Sequence, residues 1–150
     1  METIKSLTSE EVQEVDKTGN TPLIWAADAG HLEVVDFMLK NFELDVNARG
    51  FIGASATCRA ARKGYPQIVQ KLAEAKANLD MANDKMQSPL HFGAFKEHHD
   101  VVKVLLQNGA NPLVLDRKGR TPEQDTKNTE IQATLRAAVD ALSKTESVSG

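Results

Sequence analysis

The sequence predicts an all-α solenoid of stacked helix-turn-helix units, and three observations lead to that fold class. A hydroxyl residue of the kind that caps a helix recurs at spacings of 34, 33 and 33 residues, at Thr21, Ser55, Ser88 and Thr121. Segments 16–40 and 83–107 align without a gap. No single copy carries enough apolar residues to bury its own face, so we expect the copies to stack and share one core.

The first copy shows the local physics of the unit. Residues 16–19 (Asp-Lys-Thr-Gly) predict a β-turn at its tip. Thr21 suits the N-cap of a helix, and Pro22 suits its first position because no amide hydrogen is needed there. Gly30 can take the positive φ that ends the helix, and apolar residues recur at helical spacing in 31–40. Each unit is therefore predicted to be a turn, a short helix and a second helix.

The starts of the helices carry a recognisable motif. "TPLIWA" at residues 21–26 and "SPLHFG" at residues 88–93 resemble the T-P-L-H-x-A signature of the ankyrin-repeat family. The resemblance extends from residue 16 to about 125, with the copies in register at the period of that family. It implies an ankyrin-repeat solenoid with β-turn tips, acting as a non-catalytic protein–protein interaction module.

The chain divides into three full copies, a partial fourth copy and two caps. A capping box of Thr8 and Glu11 predicts a short N-terminal helix. An apolar stripe from Ile131 to Leu142 predicts a closing helix. The predicted boundaries are an N-terminal cap helix 1–15, repeat 1 at 16–48, repeat 2 at 49–82, repeat 3 at 83–115, a partial repeat and cap at 116–142, and a disordered tail 143–150.

The second and third copies depart from the pattern. Residues 55–58 (Ser-Ala-Thr-Cys) lack the proline and the core leucine, so repeat 2 is degenerate. In repeat 3, Met86 stands where the turn glycine is expected and Glu97 where the helix-ending glycine is expected. We expect these two repeats to be less regular than the first.

Composition excludes several classes of protein. The net charge is −3 and gives no global attraction to nucleic acid or anionic membranes. No apolar run approaches the roughly 20 residues of a transmembrane helix, and the N-terminus does not look like a secretory signal. The single cysteine, Cys58, cannot form an internal disulfide. We expect a monomer in a reducing compartment, the cytoplasm or the nucleus or both.

No residue pattern supports catalysis, and we expect no enzyme activity, cofactor or metal. His98 and His99 are adjacent, so their side chains point about 100° apart on a helix and would not readily share an ion. For His91, the resemblance implies a structural hydrogen bond within the turn. Cys58 has no evident base beside it and is expected to be a small buried thiol.

The resemblance implies that partners are held by the turn tips and the adjoining face of each first helix. At these tip and helix positions there are nine basic and three acidic residues, which gives about six excess positive charges on one face of an acidic molecule. Such a face would attract an anionic partner, although the same residues could simply keep the surface soluble. The predicted partner-binding residues are Phe51, Ile52, Arg59, Arg62, Lys63, Phe95, Lys96, Arg117, Lys118 and Arg120.

Phe51 and Ile52 have two interpretations. Exposed at the tip, they would be apolar anchors beside arginines; folded inward, they would fill space left by Ala56 and Thr57. We favour a groove for an acidic or phosphorylated, partly apolar segment of another protein. The alternative is an aromatic cage for a cationic or methylated peptide, drawing on Trp25, Tyr65 or Phe92. We expect Trp25 to pack against the next repeat.

Overall fold

The computed structural model describes residues 14–149, with side chains as far as Ser143. Its described part contains seven α-helices and two short 3-10 turns but no strand, which confirms the all-α class. The 3-10 turns are Phe51–Gly53 and Pro122–Asp125. The helices are α1 Pro22–Ala29, α2 Leu32–Asn41, α3 Ala56–Lys63, α4 Pro66–Glu74, α5 Pro89–Phe95, α6 His99–Gln107 and α7 Thr129–Ser149.

The recurring hydroxyl residues start the helices as expected. The side-chain oxygens of Thr21, Ser55 and Ser88 each accept a hydrogen bond of 3.2 Å from the backbone N–H three residues later. Each bond satisfies one of the amide donors left unpaired at a helix start. Thr121 begins only a 3-10 turn, where its own N–H donates to Gln124 at 2.9 Å.

The helices form two stacked layers with one continuous core. The first helices of the units, α1, α3 and α5, pack in order and end against the turn Pro122–Asp125, while α2, α4, α6 and α7 form the second layer. Because each helix buries its apolar stripe against the next unit, the core runs the length of the stack. Its largest fully buried side chains include Ile24, Met38, Ile68, Leu72, Leu90, Leu105, Ile131 and Leu135.

Four β-turn tips project from one edge of the stack. We call residues 16–19, 50–53, 83–86 and 116–119 the first, second, third and fourth tips. In each, the N–H of the last residue donates to the carbonyl of the first at 2.9–3.0 Å. The third tip keeps the backbone of the regular ones, whereas the second departs from it at Ile52, whose φ is also positive.

Left-handed backbone occurs at the two positions where the sequence lacks the expected glycine. Met86 and Glu97 both have φ 61°. A side chain in this region costs roughly 1–2 kcal/mol. The shape of repeat 3 is therefore imposed by its neighbours in the stack rather than by its local sequence.

The C-terminal helix is longer than expected, and most of the predicted N-terminal cap cannot be compared with the structure. The predicted cap helix lies outside the described residues except for Glu14 and Val15, which are not helical. The closing helix α7 is 21 residues long and continues to Ser149, whereas we expected it to end at 142 before a disordered tail. Residues 143–149 contain no proline or glycine to stop a helix. Within residues 14–149, no helix is both long and apolar enough to span a bilayer.

Candidate partner-binding groove

Two adjoining cavities lie along the tips and the first-helix layer. The central cavity, of about 220 Å³, is bounded by the second and third tips and by α3 and α5. The distal cavity, of about 300 Å³, is bounded by the third and fourth tips. Lys85, Gln87 and Phe95 line both cavities, which we together call the groove.

Nine of the ten predicted partner-binding residues line this groove. Lys63 is the exception, because it lines neither cavity and its ammonium group lies 3.8 Å from Asp28. The predicted residues that line the distal cavity are Arg117, Lys118 and Arg120. Those of the central cavity are Phe51, Ile52, Arg59, Arg62, Phe95 and Lys96.

Phe51 and Ile52 face outward. Their side chains are 49% and 37% exposed, so they do not fill the space beside Ala56 and Thr57. Ile52 has φ 58° and ψ 25°, an outlier for a β-branched residue. Strained backbone of this kind persists only where the surroundings fix it, and it is common at ligand sites.

The flanking repeats hold the second tip in place. The other three tips begin with Asp16, Asn83 and Asp116, whose side chains accept two backbone N–H bonds of 2.9–3.0 Å from their own turn. The second tip begins with Gly50 and has no such side chain. Asn20 of the preceding repeat supplies the missing acceptor, because its Oδ1 accepts a hydrogen bond from the N–H of Phe51 at 2.8 Å.

Phe95 forms the apolar wall between the two cavities. Its ring lies 5.9 Å from the ring of the buried Phe92, centroid to centroid. The Lys96 ammonium lies 5.2 Å from the Phe95 centroid, a cation–π geometry. An exposed aromatic surface is thereby kept beside a positive charge.

The basic residues of the groove differ in how far they are neutralised. Arg59 donates to Asp28 at 3.1 Å in a largely buried pair, so much of its charge is already compensated. Arg117 donates to the neutral carbonyl of Asp84 at 2.9 Å and keeps its charge. Four others have no carboxylate within ion-pair distance among the described side chains: Arg62, Lys85, Lys96 and Lys118.

Two aspartates meet at the inner end of the distal cavity. A carboxylate oxygen of Asp116 lies within 4.8 Å of one of Asp125, so the two negative charges repel each other and favour a proton on one carboxyl group. Burial and the neighbouring Asp116 raise the pKa of Asp125 to about 6. The neighbouring carboxyl group of Asp125 and the N–H groups of Arg120 and Lys118 lower the pKa of Asp116 to about 2. Sequence reasoning missed this pair, although the recurrence of an Asp or Asn at the tip start could have indicated Asp116.

His91 also reaches this pair, but its ring nitrogens are both occupied. Its Nε2 donates to the carbonyl of Arg120 at 2.9 Å, and its Nδ1 accepts from Ser88 Oγ at 2.7 Å. One ligand atom from each of His91, Asp116 and Asp125 lies within 4.8 Å of the others. With no lone pair left on the imidazole, we assign these residues a structural role rather than metal binding.

The other candidate reactive groups are held apart or buried. His98 Nε2 donates to the carbonyl of Arg62 at 3.1 Å, while His99 Nε2 lies 2.8 Å from the hydroxyl of Thr134. The two imidazoles therefore have separate partners. Cys58 is buried, and burial raises the pKa of its thiol to about 11, which disfavours the reactive thiolate.

The three rings proposed for an aromatic cage do not converge. Trp25 is 46% exposed, and its indole N–H donates to Asp16 at the first tip, within its own repeat. Tyr65 lies against Gly30, in a surface cavity bounded by the starts of α2 and α4. Phe92 is buried in the central cavity.

Known proteins share this repeat pattern. A family model described as ankyrin repeats (3 copies) matches residues 1–50 and 57–124, so the gap includes most of the irregular second tip. The mouse (Mus musculus) neurogenic locus notch homolog protein 1 is 33% identical over 107 residues, which are 71% of this chain and 4% of that protein. The human protein of the same name is 31% identical over the same length.

A plant relative covers more of the chain. The E3 ubiquitin-protein ligase XBAT33 of Arabidopsis thaliana is 32% identical over 126 residues, 83% of this chain and 23% of the ligase. The chain thus spans only a small part of each of these relatives. The stacked helix pairs, the four tips and the match over most of the chain together establish that it belongs to the ankyrin-repeat family.

Proposed function

We propose that this ankyrin-repeat chain binds an acidic or phosphorylated, partly apolar segment of a partner protein in its groove. Ankyrin repeats are protein–protein interaction modules and are typically not catalytic. The observation that carries the finer proposal is the joining of exposed apolar side chains and uncompensated cations in one concavity. The free, buried thiol of Cys58 is compatible with our further expectation of a monomer in the cytoplasm or nucleus.

The apolar part of the segment would pack on the central cavity. Phe51, Ile52 and Phe95 each expose more than a third of their surface around it. Large apolar side chains that lose their water on binding contribute most of the affinity of an interface. A fixed backbone at the second tip keeps the entropic cost of ordering these anchors low.

The anionic part of the segment would pair with the cations on either side. Arg62, Lys85 and Lys96 line the central cavity and lack an acidic partner among the described residues. Arg59 is less suited to bind the segment, because its guanidinium already forms an ion pair with Asp28. Charge complementarity would therefore act mainly through the three uncompensated groups, raising the association rate and selecting acidic partners.

A random-peptide display library selected on the purified chain tests this proposal. We expect the selected peptides to combine acidic residues with a large apolar residue. The double variant Arg62→Glu, Lys96→Glu should weaken their binding by roughly tenfold or more and reverse its salt dependence. Lys103→Glu is the matched control, because Lys103 is exposed on α6, in the other layer.

The apolar anchors need a control of their own. Phe51→Ala should weaken the same peptides, whereas Leu113→Ala, at another exposed apolar residue outside the groove lining, should not. Selected peptides without acidic residues, or equal binding by the groove variants and the controls, would contradict the proposal.

A further inference from the structure

The distal cavity combines more charges than a docking surface for an ordinary apolar segment requires. We propose that it is a subsite for a phosphate group on the bound segment, and that its occupation is coupled to uptake of a proton by the Asp116–Asp125 pair. This inference rests on the proposed groove function and adds to it the chemistry of one subsite and its regulation.

The cationic side of the subsite comes from the third and fourth tips. Lys85, Arg117, Lys118 and Arg120 all line a cavity of about 300 Å³. One N–H of Arg117 is fixed by the carbonyl of Asp84 at 2.9 Å, which orients the guanidinium and leaves its other donors for an oxyanion. Planar guanidinium groups and ammonium groups together are the usual partners of phosphate in proteins.

The acidic side of the subsite contains one charge that can be removed. Asp116 cannot change without disturbing the fourth tip, because its Oδ1 accepts the N–H groups of Lys118 and Arg120 at 2.9 Å. Asp125 makes no such backbone bond in the described structure, and its side chain is 15% exposed. Whether Asp125 carries a proton therefore decides how strongly the cavity repels an anion.

The groups that face Asp125 come from three elements. Arg120, directly after the fourth tip, lies 3.8 Å away, Nη1 to Oδ1, and Lys118 of that tip also lowers the pKa of Asp125. His91 of α5 lies 3.8 Å from Oδ2, with its own proton held by the Arg120 carbonyl. On the 3-10 turn itself, Glu123 is paired with Arg136 of α7 at 2.7 Å and does not compete.

The coupling has a definite sign. A bound dianion repels the ionised pair, so it favours the form in which Asp125 keeps the proton. By linkage, a ligand that raises proton affinity binds more tightly as the pH falls through the titration of that group. Anion affinity should increase from neutral pH toward mildly acidic pH.

Sulfate is the suitable probe, because phosphate itself gains a proton near pH 6, whereas sulfate keeps two negative charges over this range. The full chain, labelled with ¹⁵N, is titrated with sodium sulfate against sodium chloride at equal ionic strength. We expect saturable shifts of the Lys118 and Arg120 amides, with about tenfold tighter binding at about pH 5 than at about pH 7.5.

Three variants separate the parts of the inference. Asp125→Asn removes the titrating charge and should bind sulfate with one affinity at both pH values. Arg117→Ala combined with Lys118→Ala should abolish the saturable shifts. Asp100→Asn, an exposed aspartate of α6, is the control and should keep the pH dependence.

Each outcome bears on a different statement. Equal sulfate affinity at both pH values in the unmodified chain would overturn the coupling to a proton. Shifts that do not saturate at the fourth tip would overturn the subsite. Both results would leave the proposed groove function standing, since that function is tested by peptide selection and by Arg62 and Lys96 in the central cavity.

Discussion

The imidazole of His98 lies directly against Gly64, across the boundary between the second and third repeats. A Cβ added to Gly64 would come within 2.8 Å of two atoms of the ring. The same ring donates from Nε2 to the carbonyl of Arg62 at 3.1 Å. A backbone carbonyl at the C-terminal end of α3 thus receives its hydrogen bond from a side chain of the next repeat. Only a glycine at position 64 leaves room for that side chain.

A substitution at Gly64 should therefore lower the unfolding free energy by more than left-handed backbone strain alone explains. Gly64 has φ 87°, so Gly64→Ala incurs about 1–2 kcal/mol of left-handed strain and also displaces His98. Gly109 has φ 93°, but no atom lies within 4 Å of an added Cβ. In urea titrations we expect Gly64→Ala to lose clearly more unfolding free energy than Gly109→Ala. Equal losses would mean that the His98 contact contributes nothing.

Thr57 should be replaceable with a gain in stability. Its side chain is buried and its Oγ1 has no hydrogen-bond partner among the described residues. An unpaired buried hydroxyl costs about 1–3 kcal/mol. Thr57→Val keeps the shape and removes the hydroxyl, so we expect unfolding free energy to rise by about 1 kcal/mol.

Thr126→Val provides the comparison for that gain. Thr126 is also buried, but its Oγ1 accepts the N–H of Asn128 at 3.1 Å. The same replacement there should lower the unfolding free energy. If both variants shift in the same direction, the unpaired hydroxyl of Thr57 is not the cause.

At Ile52, stability and binding should change in opposite directions. Asn tolerates the left-handed region far better than a β-branched residue, so Ile52→Asn should raise the unfolding free energy by about 1 kcal/mol. The same change removes an exposed apolar side chain of the central cavity and should weaken peptide binding. Phe51→Asn loses a comparable anchor without a positive φ to relieve, so it should weaken binding with no gain in thermal stability.

Asp125 should make stability depend on pH. Its pKa is raised to about 6 in the folded chain, against about 3.9 for an unperturbed aspartate. The folded state therefore holds more protons than the unfolded state between these values, and this contribution to stability is lost as the pH rises toward 6. Asp125→Asn should make the thermal unfolding midpoint less dependent on pH over this range. It should also raise the midpoint at neutral pH. A profile that matches the unmodified chain would show that Asp125 does not titrate there.

The repeat architecture was predictable because its signals are local. Thr21, Pro22 and Gly30 specify the start and end of a helix through their own backbone and side-chain chemistry. Those signals recur at a fixed period, which predicts stacking. The positions of Met86 and Glu97 could be flagged from the same frame, and both adopt the left-handed conformation that glycine would have had.

The groove was predictable in its membership but not in its electrostatics. The resemblance placed Arg59 and Lys63 on the predicted binding face, yet Asp28 from the preceding repeat pairs with both. Which cation meets which acid depends on side-chain geometry between repeats, which no local pattern encodes. The length of α7 was missed for a different reason, because its polar end carries neither an apolar stripe nor a stop signal.

The sequence alone determined the fold class, the repeat frame and the face that carries the positive charge. The fold class and the repeat frame follow from spacing and local capping chemistry, whereas the face follows from the resemblance to ankyrin repeats. Only the tertiary structure decided that Asn20 replaces the missing side chain of Gly50, that Phe51 and Ile52 point outward, and that the carboxyl groups of Asp116 and Asp125 lie close together. Each of these features depends on residues that lie in different turns or repeats. Their distances and burial are set only once the units are stacked.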